Sequence, residues 1–147
     1  KGEKSVAIGE LTAGNGWQEV KFGKTVAGRY FCLEALSAQD GKDNAAVAEF
    51  YLLDENGKPL SRQHWKIEYA DSESTSWGNF TADKIYDLQE STYWSTRDGD
   101  KYPHRFVINL GEDVKVSGFR YLPRAEESYP GMIKKYKAYV KSTPFNF

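Results

Sequence analysis

The chain has 147 residues, with 20 Lys and Arg against 21 Asp and Glu, and a net charge of -1. That length fits one domain able to bury about 70% of its unfolded surface, so a full hydrophobic core is expected. The charge balance excludes the basic surface that nucleic acid requires, and no apolar run approaches the ~18 residues of a membrane-spanning helix.

Helical periodicity is weak throughout. Short alternating runs separated by turn signals predict a β-sandwich or barrel. The first clear run is "RYFCLEAL", where Phe31, Leu33 and Ala35 alternate with Tyr30, Cys32 and Glu34. Cys32 is the sole cysteine, so no internal disulfide forms, and it reads as a small buried hydrophobe. Next comes "VAEFYLLDENGKPL", with Ala48, Phe50 and Leu52 on one face and a turn at Asn56–Gly57. His64 follows in what reads as an exposed linker. The stretch from "STSWGNF" to "DKYP" is loop-rich, and loops on a rigid β scaffold are where binding concentrates. Within it "RDGD" reads as an exposed turn. "HRFVINLG" places Phe106, Ile108 and Leu110 on one face and ends at Gly111. A turn at Glu112–Asp113 then leads into "VKVSGF", so residues 102–124 read as two strands around a turn, with Gly118 marking a bulge. Last, "IKKYKAYVK" puts Tyr136, Ala138 and Val140 together, with Lys134 and Lys135 as a charged sheet edge. Aromatic residues make up 15% of the chain; most suit a pleated core, and the rest are available to a binding face.

Several blocks occur in an order that carries a resemblance. "TYWSTRDGDKYPHRFVINLGEDVKVSGFRYLPR" followed by "GMIKKYKAYVK" resembles the discoidin-like factor V/VIII type C domain, closest to family 32 carbohydrate-binding modules. "AGRYFCLEAL" and "AAVAEFYLL" resemble that family's last two strands, yet stand first here, and "WKIEYADSES" resembles its opening strand. Two arrangements fit: a circular permutation joined through "DENGKPLSRQ", or the tail of one module followed by the head of the next. The single-domain length favours permutation over residues 1–147. The resemblance implies an antiparallel jelly-roll β-sandwich.

It also implies a ligand site on loops at one end. Arg124 matches the family's arginine, and a guanidinium fork suits paired sugar hydroxyls or a carboxylate. Glu73 matches its glutamate, with Trp77, Tyr102 and Tyr129 as aromatic platforms. The alternative for Arg124 is an ion pair with Glu126, Glu127 or Glu73. The family's histidine is Ser95 here, its asparagine is Pro130, and the aromatic position near Asp98 is not aromatic. The family commonly holds one structural calcium, which points to Asp87, Thr92 and Glu49. There the family glycine is Leu88 and its next ligand Gln89, so a metal-free loop with Asp87 capping a turn stands beside it. His104 reads as structural.

No acid/base pair, catalytic triad or phosphate loop is recognisable, so no enzyme is expected. The resemblance implies a glycan-binding module of a secreted, periplasmic or cell-surface glycan-degrading enzyme. Its expected ligands are terminal galactose- or hexosamine-type sugars, and its partners are glycans and neighbouring domains. Nucleic acid and membrane are not expected. The alternatives are a protein- or membrane-surface interaction module, or a structural spacer that has lost its sugar site. The chain begins without Met or a signal peptide and reads as a fragment of a longer protein.

Overall fold

A computed structural model describes residues 4–126 and 130–147. The strands in chain order are β1 (Ala7–Glu10), β2 (Gln18–Ala35), β3 (Ala46–Val47), β4 (Glu49–Leu53), β5 (Lys66–Ala70), β6 (Trp94–Ser95), β7 (His104–Leu122) and β8 (Lys135–Lys141). A short 3-10 helix, Ala82–Tyr86, lies between β5 and β6. Every strand pairing is antiparallel. The main sheet runs β1-β8-β2-β7-β4, with β5 also on β7, and β3 pairs with β6. The fold is the all-β, discoidin-like sandwich that the sequence predicts.

Two long strands build it. β2 and β7 pair from Ala35↔His104 to Gln18↔Tyr121, with two interruptions. Residues 110–113 bulge out of β7 between the Tyr30↔Asn109 and Gly28↔Val114 pairs. Residues 22–25 bulge out of β2 between Lys21↔Gly118 and Val26↔Val116. Bulges bend a strand and increase its twist. Phe106 and Phe119 show how far this bend goes. They are 13 residues apart on one strand, about 43 Å if straight. Yet both pack on Phe31 (6.5 and 6.3 Å between ring centroids) and on Phe50 (5.3 and 5.2 Å). The β2–β7 ribbon therefore folds over itself. Its first part joins β8 and β5 in one layer, its second part joins β4 in the other, and the phenylalanines fill the space between.

Two sequence expectations are corrected here. Residues 102–124 are not two strands around a turn. Gly111, Glu112 and Asp113 are an exposed bulge within one bent strand, and Gly111 takes the left-handed φ of 91° that the bend requires. Gly111-Glu112-Asp113 has the chemistry of a turn and serves a bulge within one strand. Lys134 and Lys135 do not mark a sheet edge either, because β1 covers β8 and pairs Glu10 with Lys135. Gly118 does sit at a bulge, where a Cβ would meet the Val20 carbonyl oxygen at 2.2 Å.

The core joins the two halves of the sequence. Phe31, Leu33, Phe50 and Leu52 from β2 and β4 pack in one cluster with Phe106, Ile108, Phe119, Tyr121 and Tyr136 from β7 and β8. Cys32 is buried, as expected, and burial pushes its thiol up to about 12. The Asn56–Gly57 turn forms as expected. Asp54 Oδ1 accepts from the Asn56 and Lys58 amides, and Gly57 has a φ of 78°.

Candidate functional site

The loop-rich segment is pinned at its base. Phe80 donates its amide to the Ser74 carbonyl, Ser95 donates to Phe80, and Ser74 donates to Ser95, at 2.8 to 3.1 Å. Trp94 is buried and donates Nε1–H to the Ser72 carbonyl at 2.9 Å. The intervening residues 75–79 project as a short exposed loop, with Trp77 62% exposed at its tip.

From Trp77 an aromatic row runs inward. Trp77 lies 4.5 Å from Phe80 between centroids, and Phe80 stacks on Tyr93 at 4.8 Å. Gly78 permits this approach, because a Cβ there would meet the Phe80 ring at 2.4 Å. The row ends under Arg124, whose guanidinium carbon lies 4.4 Å over the Tyr93 ring. Arg124 follows Pro123 at the end of β7, and its Nε donates to Glu126 Oε2 at 3.1 Å while Nη2 bonds the same oxygen. Burial pushes the Tyr93 hydroxyl above its ordinary range; the Arg124 charge pulls the other way and Glu126 adds to the rise. The exposed Trp77 ring can stack on a sugar face, and the held guanidinium–carboxylate pair at the other end of the row can bind hydroxyls.

The structure links Arg124 and Trp77 through Phe80 and Tyr93. The ion pair with Glu126, weighed as the alternative, is present beside that stack. Glu73 is engaged elsewhere: its Oε2 accepts the Ala82 amide at 2.8 Å, holding the start of the 3-10 helix. Tyr102 is also committed, donating to the Asn44 carbonyl at 2.6 Å and packing 4.5 Å from the His104 ring. Tyr129 and Glu127 lie outside the described residues. Ser95 is buried in β6, at the base of the loop rather than in the row. The "RDGD" turn forms as expected, with Arg97 bonded to Asp100 at 3.1 Å and Gly99 at a φ of 91°.

The residues expected to hold calcium have other partners. Asp87 Oδ1 accepts the Gln89 amide at 3.0 Å, and Thr92 Oγ1 donates to Asp87 Oδ2, which is the turn-capping arrangement. Leu88 keeps a left-handed φ of 65°, the conformation a glycine would take at lower cost. Glu49 is buried in β4, and its Oε1 receives Arg62 Nη1 at 2.7 Å. Arg62 Nη1 also donates to the carbonyls of Phe50 (3.2 Å) and Ile85 (3.3 Å). Nη2 donates to the Tyr51 hydroxyl at 3.0 Å, and the guanidinium lies 3.9 Å from the Tyr51 ring centroid. Burial pushes the Glu49 carboxyl up to about 7; Arg62 works against this, and the neighbouring Asp87 carboxyl adds to it. Glu49 Oε2 has no hydrogen-bond partner among the described residues.

Sequence reasoning missed Phe80 and Tyr93 in the row, and Arg62 beneath the 87–92 loop. The aromatic density of the loop segment was the available signal for the first two. Nothing local marks Arg62, which lies in the segment read as a linker. A further cavity of about 680 Å³ is lined by Trp17, Gln18, Glu19, Tyr51, Pro59 and Arg120, with Trp17 5.6 Å from Tyr51.

A family model described as F5/8 type C domain matches residues 68–147. Over 85 residues, 55% of this chain, the sequence is 31% identical to a protein named "Sialidase" from Micromonospora viridifaciens. The matched stretch is 13% of that protein's length, so the chain corresponds to a small part of it.

Proposed function

The chain belongs to the F5/8 type C domain family, and on that footing we propose that it is a non-catalytic glycan-binding module. The observation that carries this reading is the row from exposed Trp77 through Phe80 and Tyr93 to Arg124. A pyranose lays its apolar face on the aromatic surface around Trp77. Further along the oligosaccharide, the guanidinium of Arg124 donates to hydroxyls, and Glu126 orients it and accepts in turn. Galactose- and hexosamine-type termini are the sugars proposed. The chemistry asked of the residues is binding only.

The likeness to a sialidase supports a glycan-degrading parent, and with it a secreted, periplasmic or cell-surface setting. Among the described residues no helix is long and apolar enough to cross a membrane. In such a protein the module holds the enzyme near its substrate by raising effective concentration, so weak single-site affinity suffices. Residues before 68 supply β2 and β4 to the sheet that the family-matched residues build, which supports one circularly permuted domain over two partial ones.

The test is a titration of the chain with galactose- and hexosamine-terminated oligosaccharides. Trp77→Ala and Arg124→Ala are each expected to weaken binding at least 10-fold, because each removes one side of the contact, worth about 1–3 kcal/mol. The Trp77→Ala melting temperature should stay close to the parent's, since Trp77 is exposed, and that of Arg124→Ala should fall by no more than a few °C, since its partner Glu126 is half exposed. Unchanged affinity in both variants contradicts the site.

A further inference from the structure

Arg62 sits among oxygens that would suit a cation. Its Nη1 has two hydrogens and serves three acceptors, the Glu49 carboxylate and the carbonyls of Phe50 and Ile85. These acceptors come from β4 and from the 3-10 helix that leads into the 87–92 loop. The side chain is 6% exposed and the Glu49 side chain 3%. Tyr51 holds the guanidinium from a third direction, through its hydroxyl and its ring. A buried carboxylate needs a compensating cation, and here the chain supplies one from its own sequence.

A divalent ion does not fit this arrangement as it stands. Calcium takes 6–8 oxygens at 2.3–2.6 Å. Glu49 Oε1 and two carbonyls already receive Arg62, while both Asp87 oxygens are taken up by Gln89 and Thr92. An ion beside them would lie close to a buried guanidinium and be repelled by it. Among the described residues no three His, Cys, Asp or Glu side chains gather as a metal set. We propose that the Arg62 guanidinium is the resident cation of this module, joining β4 to the 3-10 helix that leads into the 87–92 loop in place of a divalent metal, and that deleting it opens a divalent-cation site.

This accounts for two features at once. The loop has a left-handed backbone at Leu88, the position where the resemblance puts a glycine. The orphan Glu49 Oε2 is the oxygen a metal would claim once Arg62 is gone.

The experiment is thermal melting of the whole chain in calcium and in chelator, as wild type and as Arg62→Ala, with calcium titration calorimetry on each. The wild type is expected to melt at one temperature in both buffers and to give no calcium heat. Arg62→Ala should melt lower in chelator by on the order of 10 °C, because breaking a buried pair leaves an uncompensated charge. Calcium should restore part of that loss. If the wild type binds calcium or melts higher in it, the proposal is overturned. An Arg62→Ala protein that melts like the parent in chelator overturns it equally. Should Arg62→Ala fail to fold in chelator, its folding in calcium supports the proposal, and failure in both buffers leaves the wild-type arm to decide.

Discussion

Two acceptors face the His104 ring, and they decide its protonation. Nδ1 lies 2.8 Å from the Asp71 carboxylate and Nε2 lies 2.6 Å from the Asp43 carbonyl. An acceptor on each side asks for a hydrogen on each nitrogen, which is the imidazolium. Burial of the ring opposes that charge, yet Asp71, the Asp43 carbonyl and the nearby Asp100 outweigh it and raise the pKa. The other face is covered by Tyr102. A raised folded-state pKa means that the stabilisation is complete below the unfolded value of about 6.5 and is lost as pH rises through the folded value. The melting temperature should therefore fall as pH is taken from 6 to 9, and His104→Gln should flatten the fall. A curve rising across that range, or one indifferent to the substitution, contradicts the assignment. The sequence marked His104 as structural from its place beside Pro103; its two partners come from 33 and 61 residues away, beyond any local pattern.

At the scale of elements, legibility tracked the range of the interaction. The 31–35 and 49–53 strands and the Asn56–Gly57 turn were readable because alternation and turn chemistry are local. The bent β7 was not, because Gly111-Glu112-Asp113 has the composition of a turn and only pairing with β2 tells a bulge from a hairpin. Glu73 shows the same limit at the site: the resemblance matches it to the family's glutamate, while its bond to the Ala82 amide depends on a 3-10 helix in a stretch that reads as loop. The 74–80 loop makes the most direct prediction at this scale. Gly78→Ala places a methyl where the Phe80 ring now lies, and the ring can turn away at little cost to the core because the loop is exposed. The aromatic row breaks, so glycan affinity should fall several-fold while the melting temperature moves by no more than a few °C. Full affinity in Gly78→Ala would show that the row is not the binding surface.

The whole molecule depends on strands from both ends of the sequence. β2 pairs with β7 and with β8, and β4 closes the second layer against β7. Residues 65–147 alone, nearly the family-matched stretch, lack Phe31 and Phe50, on which Phe106 and Phe119 both pack. That fragment should stay unfolded by circular dichroism, whereas the full chain should melt in one cooperative transition. A folded fragment would mean that the first 64 residues belong to a separate unit. Whether the module binds glycans through Arg124 is decided on a glycan array. The full chain and its Arg124→Ala variant are applied side by side to a glycan array, each in calcium and in chelator. The parent is expected to bind galactose- or hexosamine-terminated glycans equally in both buffers, and the variant, with its fold intact, to lose those signals. A parent that binds no glycan, or a variant that binds as the parent does, contradicts glycan binding through Arg124 and turns attention to a protein partner for the exposed Trp77 loop.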